Sequence, residues 1–245
     1  MEFSEAKRLL DPAPMMLETG VERTQNGGLH VAMQFLMEHC TADMLDYWFG
    51  AAPDTLMYQL WHPGAHISSE WKEFTPDHVP GKVHGSTHYS TEDVGMGASD
   101  ATLSFIDPAE ILGKEALDEA KRAGGADVVL YASCGMEPRE NLRRDEKGRV
   151  IGDHQFIIGR DTPFGLAVRL HFWLGSDVPL PKEEVEKMFP AELGLGIMNH
   201  GLNEFHILGK VIPSFYLKDR WSDLGAPEPF GKSNDSAKAH PRTFA

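Results

Sequence analysis

Cysteine is scarce: Cys40 and Cys134 are the two in 245 residues, and they lie far apart. That excludes a disulfide framework and a paired-thiolate zinc motif, and it fits a reducing compartment. Basic residues are also few, 23 Lys and Arg against 37 Asp and Glu, for a formal net charge of -14. Nucleic acid needs a basic patch to neutralise its phosphates, so it is not an expected partner. No stretch supplies eighteen uninterrupted apolar residues, and the opening MEFSEAKRLL is charged and lacks the apolar core of a signal peptide. A cytoplasmic protein that neither crosses nor binds a membrane is the expectation. Two familiar catalytic signatures, HExxH and GxSxG, are missing, and GMGASD and GGAD lack the strand–turn–helix setting of a dinucleotide loop.

Hydrophobic residues make up 41% of the chain, enough to bury one large core. The first residues predict a short helix broken by Pro12 and Pro14, then an extended arm and the β-like GGLHVAMQFLM. Thr41 can cap a helix over ADMLDYWFG, and Asp54 a second over TLMYQLW. From about residue 84 to 175 the runs GSTHYSTEDVG, ATLSFIDP, ADVVLYASCG, HQFIIGRD and GLAVRLHFWLG read as strands separated by Gly, Pro and Asp turns. DPAEILGKEALDEAKRAGG interrupts them with a helix. A capped, acidic start at Lys182 leads into a long final helix with a break or kink at Pro190. The pattern predicts an α+β fold, a curved antiparallel sheet around that helix with a cavity between them. The last fifteen residues are polar and read as disordered.

Histidine is plentiful, twelve in all, five of them between residues 61 and 95. With thiolates scarce, a zinc ion would have to be held by imidazole and carboxylate. The candidates are His62 and His66 in WHPGAH, Glu92 on the THYSTEDVG strand, and His200 with Glu204 in IMNHGLNEFHILG. In a helix, His200 and Glu204 at i and i+4 share a face, and Met198, Leu202, Phe205 and Ile207 surround them. A carboxylate buried there needs a partner, which a surface ion pair would not. A second such spacing, His66 and Glu70 in HISSE, sits in a helix-end or strand context, where Glu70 reads as solvated. Strand alternation can point Glu92 inward, with Asp93 as the competing inward residue. His78 and His84 read as loop residues, and Trp61, Trp71, Trp173 and Trp221 as core or cavity-wall aromatics.

Taken in order, TADMLDYWFG, MYQLWHPGAHISSEW, HYSTEDVG, HQFIIGRDTPFGLAVRLHFWLG and NHGLNEFHILG resemble the diacetylphloroglucinol hydrolase and phloretin hydrolase family over most of residues 15 to 220. The resemblance implies a helix-grip, START-like fold and a Zn2+ ion held by two histidines and two glutamates. By that resemblance the ligands are His66 (with His62 as its rival), Glu92, His200 and Glu204. Tyr58 matches a substrate-contacting tyrosine, and His154 a pocket histidine able to relay a proton. The implied domains are an extension over 1–55 with short helices, a helix-grip metal-binding catalytic domain over 56–230, and a polar tail over 231–245. The implied reaction is hydrolysis of the carbon–carbon bond between an acyl group and a phenolic, phloroglucinol-like ring. The partner is then a small phenolic ketone, with a homodimer left open. A non-catalytic carrier of aromatic ligands, a zinc-dependent esterase or lactonase, and a structural zinc site are the competing readings.

Overall fold

A computed structural model describes residues 1–76 and 78–220. The expected tail over 231–245 and Trp221 therefore lie outside the described residues. Eight strands form one antiparallel sheet: β1 (Gly20–Arg23), β2 (Leu29–Glu38), β3 (His66–Lys72), β4 (Thr87–Asp93), β5 (Ala98–Ile106), β6 (Val128–Gly135), β7 (Asp153–Thr162) and β8 (Gly165–Leu174). Their spatial order is β1-β2-β8-β7-β6-β5-β4-β3, so β2 pairs with β8 and the chain's two early parts flank its later strands. Seven of the pairings are consecutive along the sheet and all are antiparallel.

Local chemistry sets the helices. The Thr41 side chain accepts from the Met44 N–H to start α1 (Ala42–Gly50), and Asp54 does the same for Met57 at α2 (Thr55–Trp61). The interruption after β5 forms α3 (Ala109–Leu112) and α4 (Lys114–Arg122). Pro190 divides the final helical stretch into α5 (Lys182–Met188) and the 30-residue α6 (Ala191–Arg220). The buried residues of α6 are Gly194, Ile197, Gly201, Glu204, Phe205, Leu208 and Ile212, a stripe at helical spacing with one carboxylate in it.

That stripe lies on the inner face of the sheet, where Val31, Met33, Leu130, Ile157, Val168 and Leu170 join it in one core. This is the helix-grip arrangement expected from the sequence. Glycine permits the close approach: a Cβ at Gly196 would stand 2.2 Å from the Val94 carbonyl oxygen, and one at Gly201 would stand 2.7 Å from Met33 Sδ. The outer face is covered too. A 3-10 helix over Phe3–Leu10, α3 and α4 place Ala6, Leu9, Leu112 and Ala116 against Tyr131, Phe156, Ile158 and Trp173. The middle strands are thus apolar on both faces, and their sequences show little alternation. Among the described residues no helix is long and apolar enough to cross a membrane.

Candidate metal centre and cavity

His66, Glu92, His200 and Glu204 come from three elements, and each arrives for a local reason. On β4 the inward positions alternate as His88, Ser90 and Glu92, all lining the cavity. Asp93 instead turns to the β4–β5 connection, where its Oδ1 accepts from the Gly95 and Gly97 N–H groups. His66 pairs with Glu92 across the strands, but a bulge follows and Ser68 pairs with Thr91. The bulge reverses the parity of β3, so His66 is inward while Glu70, four residues on, is outward with Lys72 at 2.5 Å and Arg139 at 2.9 Å. α6 supplies His200 and Glu204 one turn apart.

The geometry fixes the tautomers. His66 Nδ1 donates to the Tyr58 carbonyl oxygen at 2.8 Å, and His200 Nδ1 lies 3.3 Å from the carbonyl oxygen of Asp93. A carbonyl can only accept, so each ring keeps its hydrogen on Nδ1 and aims Nε2 at the other, 3.3 Å away. Around that gap, Glu92 Oε2 stands 3.6 Å from His66 Nε2 and 3.4 Å from His200 Nε2. Glu204 Oε2 stands 3.5 Å and 3.8 Å from the same two atoms. These separations exceed a good N–H···O bond of about 2.7–3.2 Å, so one shared proton bridges them poorly. Three of the four fall on the ligand–ligand edges of tetrahedral zinc, about 3.3–3.6 Å for bonds of about 2.0–2.2 Å, and the fourth is slightly longer. Among the described residues, His66, His200 and Glu204 form a group with one donor atom each within 4.8 Å of the others.

Electrostatics agree with the distances. Burial alone would raise the Glu92 carboxyl, but attraction to His200 and the hydrogen bond from Tyr58 outweigh it and hold it down at about 2. Burial alone would lower His200, but the neighbouring carboxylates of Glu92 and Glu204 carry it up to about 9. Two carboxylates thus favour a positive charge at this point, and a divalent cation satisfies it along with both imidazole lone pairs. The donor set fits zinc.

Tyr58 supports the cluster in three ways. Its carbonyl orients His66, its ring stacks on the His66 imidazole at 3.6 Å, and its hydroxyl donates to Glu92 Oε2 at 2.5 Å. Burial first, then the Glu92 charge, pushes the Tyr58 hydroxyl well above the usual phenol range, so it stays a donor. His62 is outside the cluster: its ring stacks on His200 with centroids 5.0 Å apart.

Glu92, His200 and Glu204 open into a cavity with about 860 Å³ of empty space, its mouth included. Phe49, Trp61, Phe105, Phe172 and Phe205 give it aromatic walls. The chain belongs to the DAPG hydrolase PhiG domain family. The family model matches residues 1–217. A 2,4-diacetylphloroglucinol hydrolase of Pseudomonas sp is 23% identical over 87% of this chain and 76% of its own length. The phloretin hydrolase of Eubacterium ramulus is 25% identical over 75% of this chain and 66% of its own. Among solved structures, human STARD10 aligns with a TM-score of 0.43 at 8% identity, covering 87% of this chain and 84% of that one.

One expected site residue is misplaced. His154 is not in the cavity but on the outer face of β7, where the Tyr131 hydroxyl lies 2.8 Å from Nδ1, Asp177 lies 3.2 Å from Nε2 and the Phe3 ring stacks at 3.6 Å. Alternation requires this, because Ile157 faces the inner core and Asp153 and Gln155 share its side. Those two polar residues line the cavity and were missed.

Proposed function

We propose that this protein is a metal-dependent hydrolase that cleaves the carbon–carbon bond between an acyl group and a phenolic ring. The observation that supports this most is the pair of buried imidazole Nε2 atoms facing one another at 3.3 Å, flanked by Glu92 and Glu204, at the wall of an aromatic cavity. His66, His200 and Glu204, with Glu92 completing the set, would hold zinc. When bound, zinc supplies Lewis acidity towards water and a carbonyl oxygen.

The remaining work falls to the chain. Phe49, Trp61, Phe105, Phe172 and Phe205 sandwich the ring and keep bulk water from it. The Glu204 carboxylate can take a proton from water at the metal-facing end, while Tyr58 Oη, protonated throughout the ordinary pH range, can turn its one hydrogen from Glu92 to an oxygen beside the reacting carbonyl. In the balanced reaction the water oxygen ends on the acyl carbon, giving a carboxylic acid. The ring carbon that loses the acyl group gains a proton. The bond breaks because a ring in its keto tautomer can leave as an enolate.

A panel of acylphloroglucinols tests this with metal-loaded protein in oxygen-18 water. Label is expected in the released acid and none in the ring product. Binding without turnover would instead make the protein a carrier, and cleavage of the matching aryl ester, with label in the acid, but no carbon–carbon cleavage would make it an esterase.

A further inference from the structure

The cavity has a second polar end, far from the metal cluster. Across the sheet the register joins His88 to Leu103, Leu103 to Cys134 and Cys134 to Asp153, one row over four strands. Asp153 is therefore three strands across and four residues along from Glu92. On a flat sheet that is on the order of 19 Å between Cα atoms, and curvature shortens it. Two acidic side chains, a metal–oxygen contact, one benzene ring and a hydrogen bond together span such a distance.

Asp153 is held but not saturated. Its Oδ1 accepts from the Gly175 N–H at 2.6 Å, and among the described residues nothing hydrogen-bonds Oδ2. The carboxyl lines an otherwise apolar wall with Gln155 beside it and Cys134 on the neighbouring strand. The charges that reach it, Glu137 and Asp177, have its own sign. An anion there has no counter-ion, whereas a neutral carboxyl has one donor to offer a ligand.

We propose that Asp153 is the specificity-determining residue for the ring, its free carboxyl oxygen hydrogen-bonding a ring oxygen para to the acyl group. This rests on the carbon–carbon hydrolase reading above. The chemistry supplies the reason. As the acyl group departs, its electron pair stays on the ring carbon, and conjugation spreads that charge to the ortho and para oxygens. An O–H donor at the para oxygen is worth more in that state than in the bound ketone. Burial, opposed by the Gly175 N–H and aided by Glu137 and Asp177, pushes the Asp153 carboxyl up to about 7, so the donor form prevails below neutrality. The other groups facing it do not supply a competing positive charge. Burial pushes the Cys134 thiol well above its ordinary range, Gln155 is neutral, and His154 lies across the sheet with burial depressing it.

The test compares two ketones on zinc-loaded protein: an acetophenone with hydroxyls at both ortho positions and para, and its analogue without the para hydroxyl. Dissociation constants come from calorimetry and kcat/KM from acetate release. The wild type is expected to prefer the para-hydroxylated ketone at least tenfold in kcat/KM at pH 6, with the preference falling as pH rises through about 7. Asp153→Ala is expected to erase it with zinc content unchanged. Asp153→Asn, which keeps an acceptor for Gly175 and an N–H donor, should retain the preference at every pH. A preference that survives Asp153→Ala, or equal losses on both ketones, would overturn the proposal. A wild type that binds with the para preference yet releases no acetate would overturn the hydrolase reading and leave the subsite standing.

Discussion

Removing the ligands one at a time separates a metal centre from an ion-pair cluster. Structural zinc sites reach apparent binding free energies of about 10–16 kcal/mol, so each of four ligands contributes about 2.5–4 kcal/mol, or roughly 70- to 900-fold in affinity. With free zinc at about 100 times the wild-type Kd, binding stabilises the native state by about 2.7 kcal/mol. For a chain of 245 residues that raises Tm by about 5–11 °C. In His66→Ala, His200→Ala or Glu204→Gln the same zinc lies at about 0.1–1.4 times Kd. The gain is then about 0.5 kcal/mol or less and the shift under about 2 °C. Scanning calorimetry with and without zinc reads the difference, and metal analysis after dialysis checks occupancy. His62→Ala and Glu70→Ala serve as controls. His62 stacks outside the donor gap and Glu70 is paired on the outer face, so both should keep the full shift. A full shift in His66→Ala, or a lost shift in His62→Ala, would refute the ligand assignment.

His154→Ala should leave zinc content and kcat/KM within about twofold while lowering stability by about 1–3 kcal/mol, because it removes the Phe3 stack and the Tyr131 hydrogen bond from the outer core; a large loss of turnover at unchanged stability would return that residue to the chemistry. Gly196→Ala drives a Cβ to 2.2 Å from the Val94 carbonyl and so shifts α6 against β4, weakening zinc affinity by tenfold or more in a competition titration with a chelator; an unchanged affinity would mean the helix position does not set the site. Asp153 is an acid with a raised native value, from 3.8 to about 7, so the native state keeps a proton that the unfolded state releases. Stability is therefore lost as pH rises from about 4 to 7, and Asp153→Asn should recover up to about 4 kcal/mol above pH 7 in urea melts and little below pH 4. Equal melts at pH 8 would sink that reading of the carboxyl.

How far the sequence discloses the fold depends on how local each signal is. The caps at Thr41 and Asp54 are readable because the capping hydrogen bond reaches only three residues on. Glu92 and His200/Glu204 are readable because β4 alternates and α6 carries an apolar stripe at helical spacing. His66 lies inward and Glu70 outward, as a solvated Glu70 requires, yet the cause is not local. The β3 bulge, not the residues of HISSE, turns one inward and the other out. His154 fails for a different reason. In HQFII both strand faces are apolar, since the Phe3–Leu10 segment and α4 cover the outside, and no polar residue marks which parity is inner. A histidine beside a glutamine in such a strand gives no orientation until the packing on both sides is known.

The arrangement also explains why the site is built across β3, β4 and α6 rather than on one hairpin. Two carboxylates and two imidazole lone pairs crowded into a space of 3.3–3.8 Å would repel if the local chain alone had to gather them. Packing does it instead. The α6 stripe from Ile197 to Ile212 buries against β1 and β2, and β2 is in turn paired with β8 over ten residues; this apolar interface positions His200 and Glu204. The β3–β4 pairing independently positions His66 and Glu92, and Tyr58 on α2 locks that half by its stack and its hydroxyl bond. Each half carries one histidine and one glutamate, so neither holds more than one negative charge before the two close. The full demand for a cation arises only when the helix docks on the sheet. Metal affinity and the α6–sheet contact would therefore be linked: a substitution that loosens α6 away from the donors, Gly194 against Val21 for instance, would lower zinc affinity, and zinc would in turn resist the loosening.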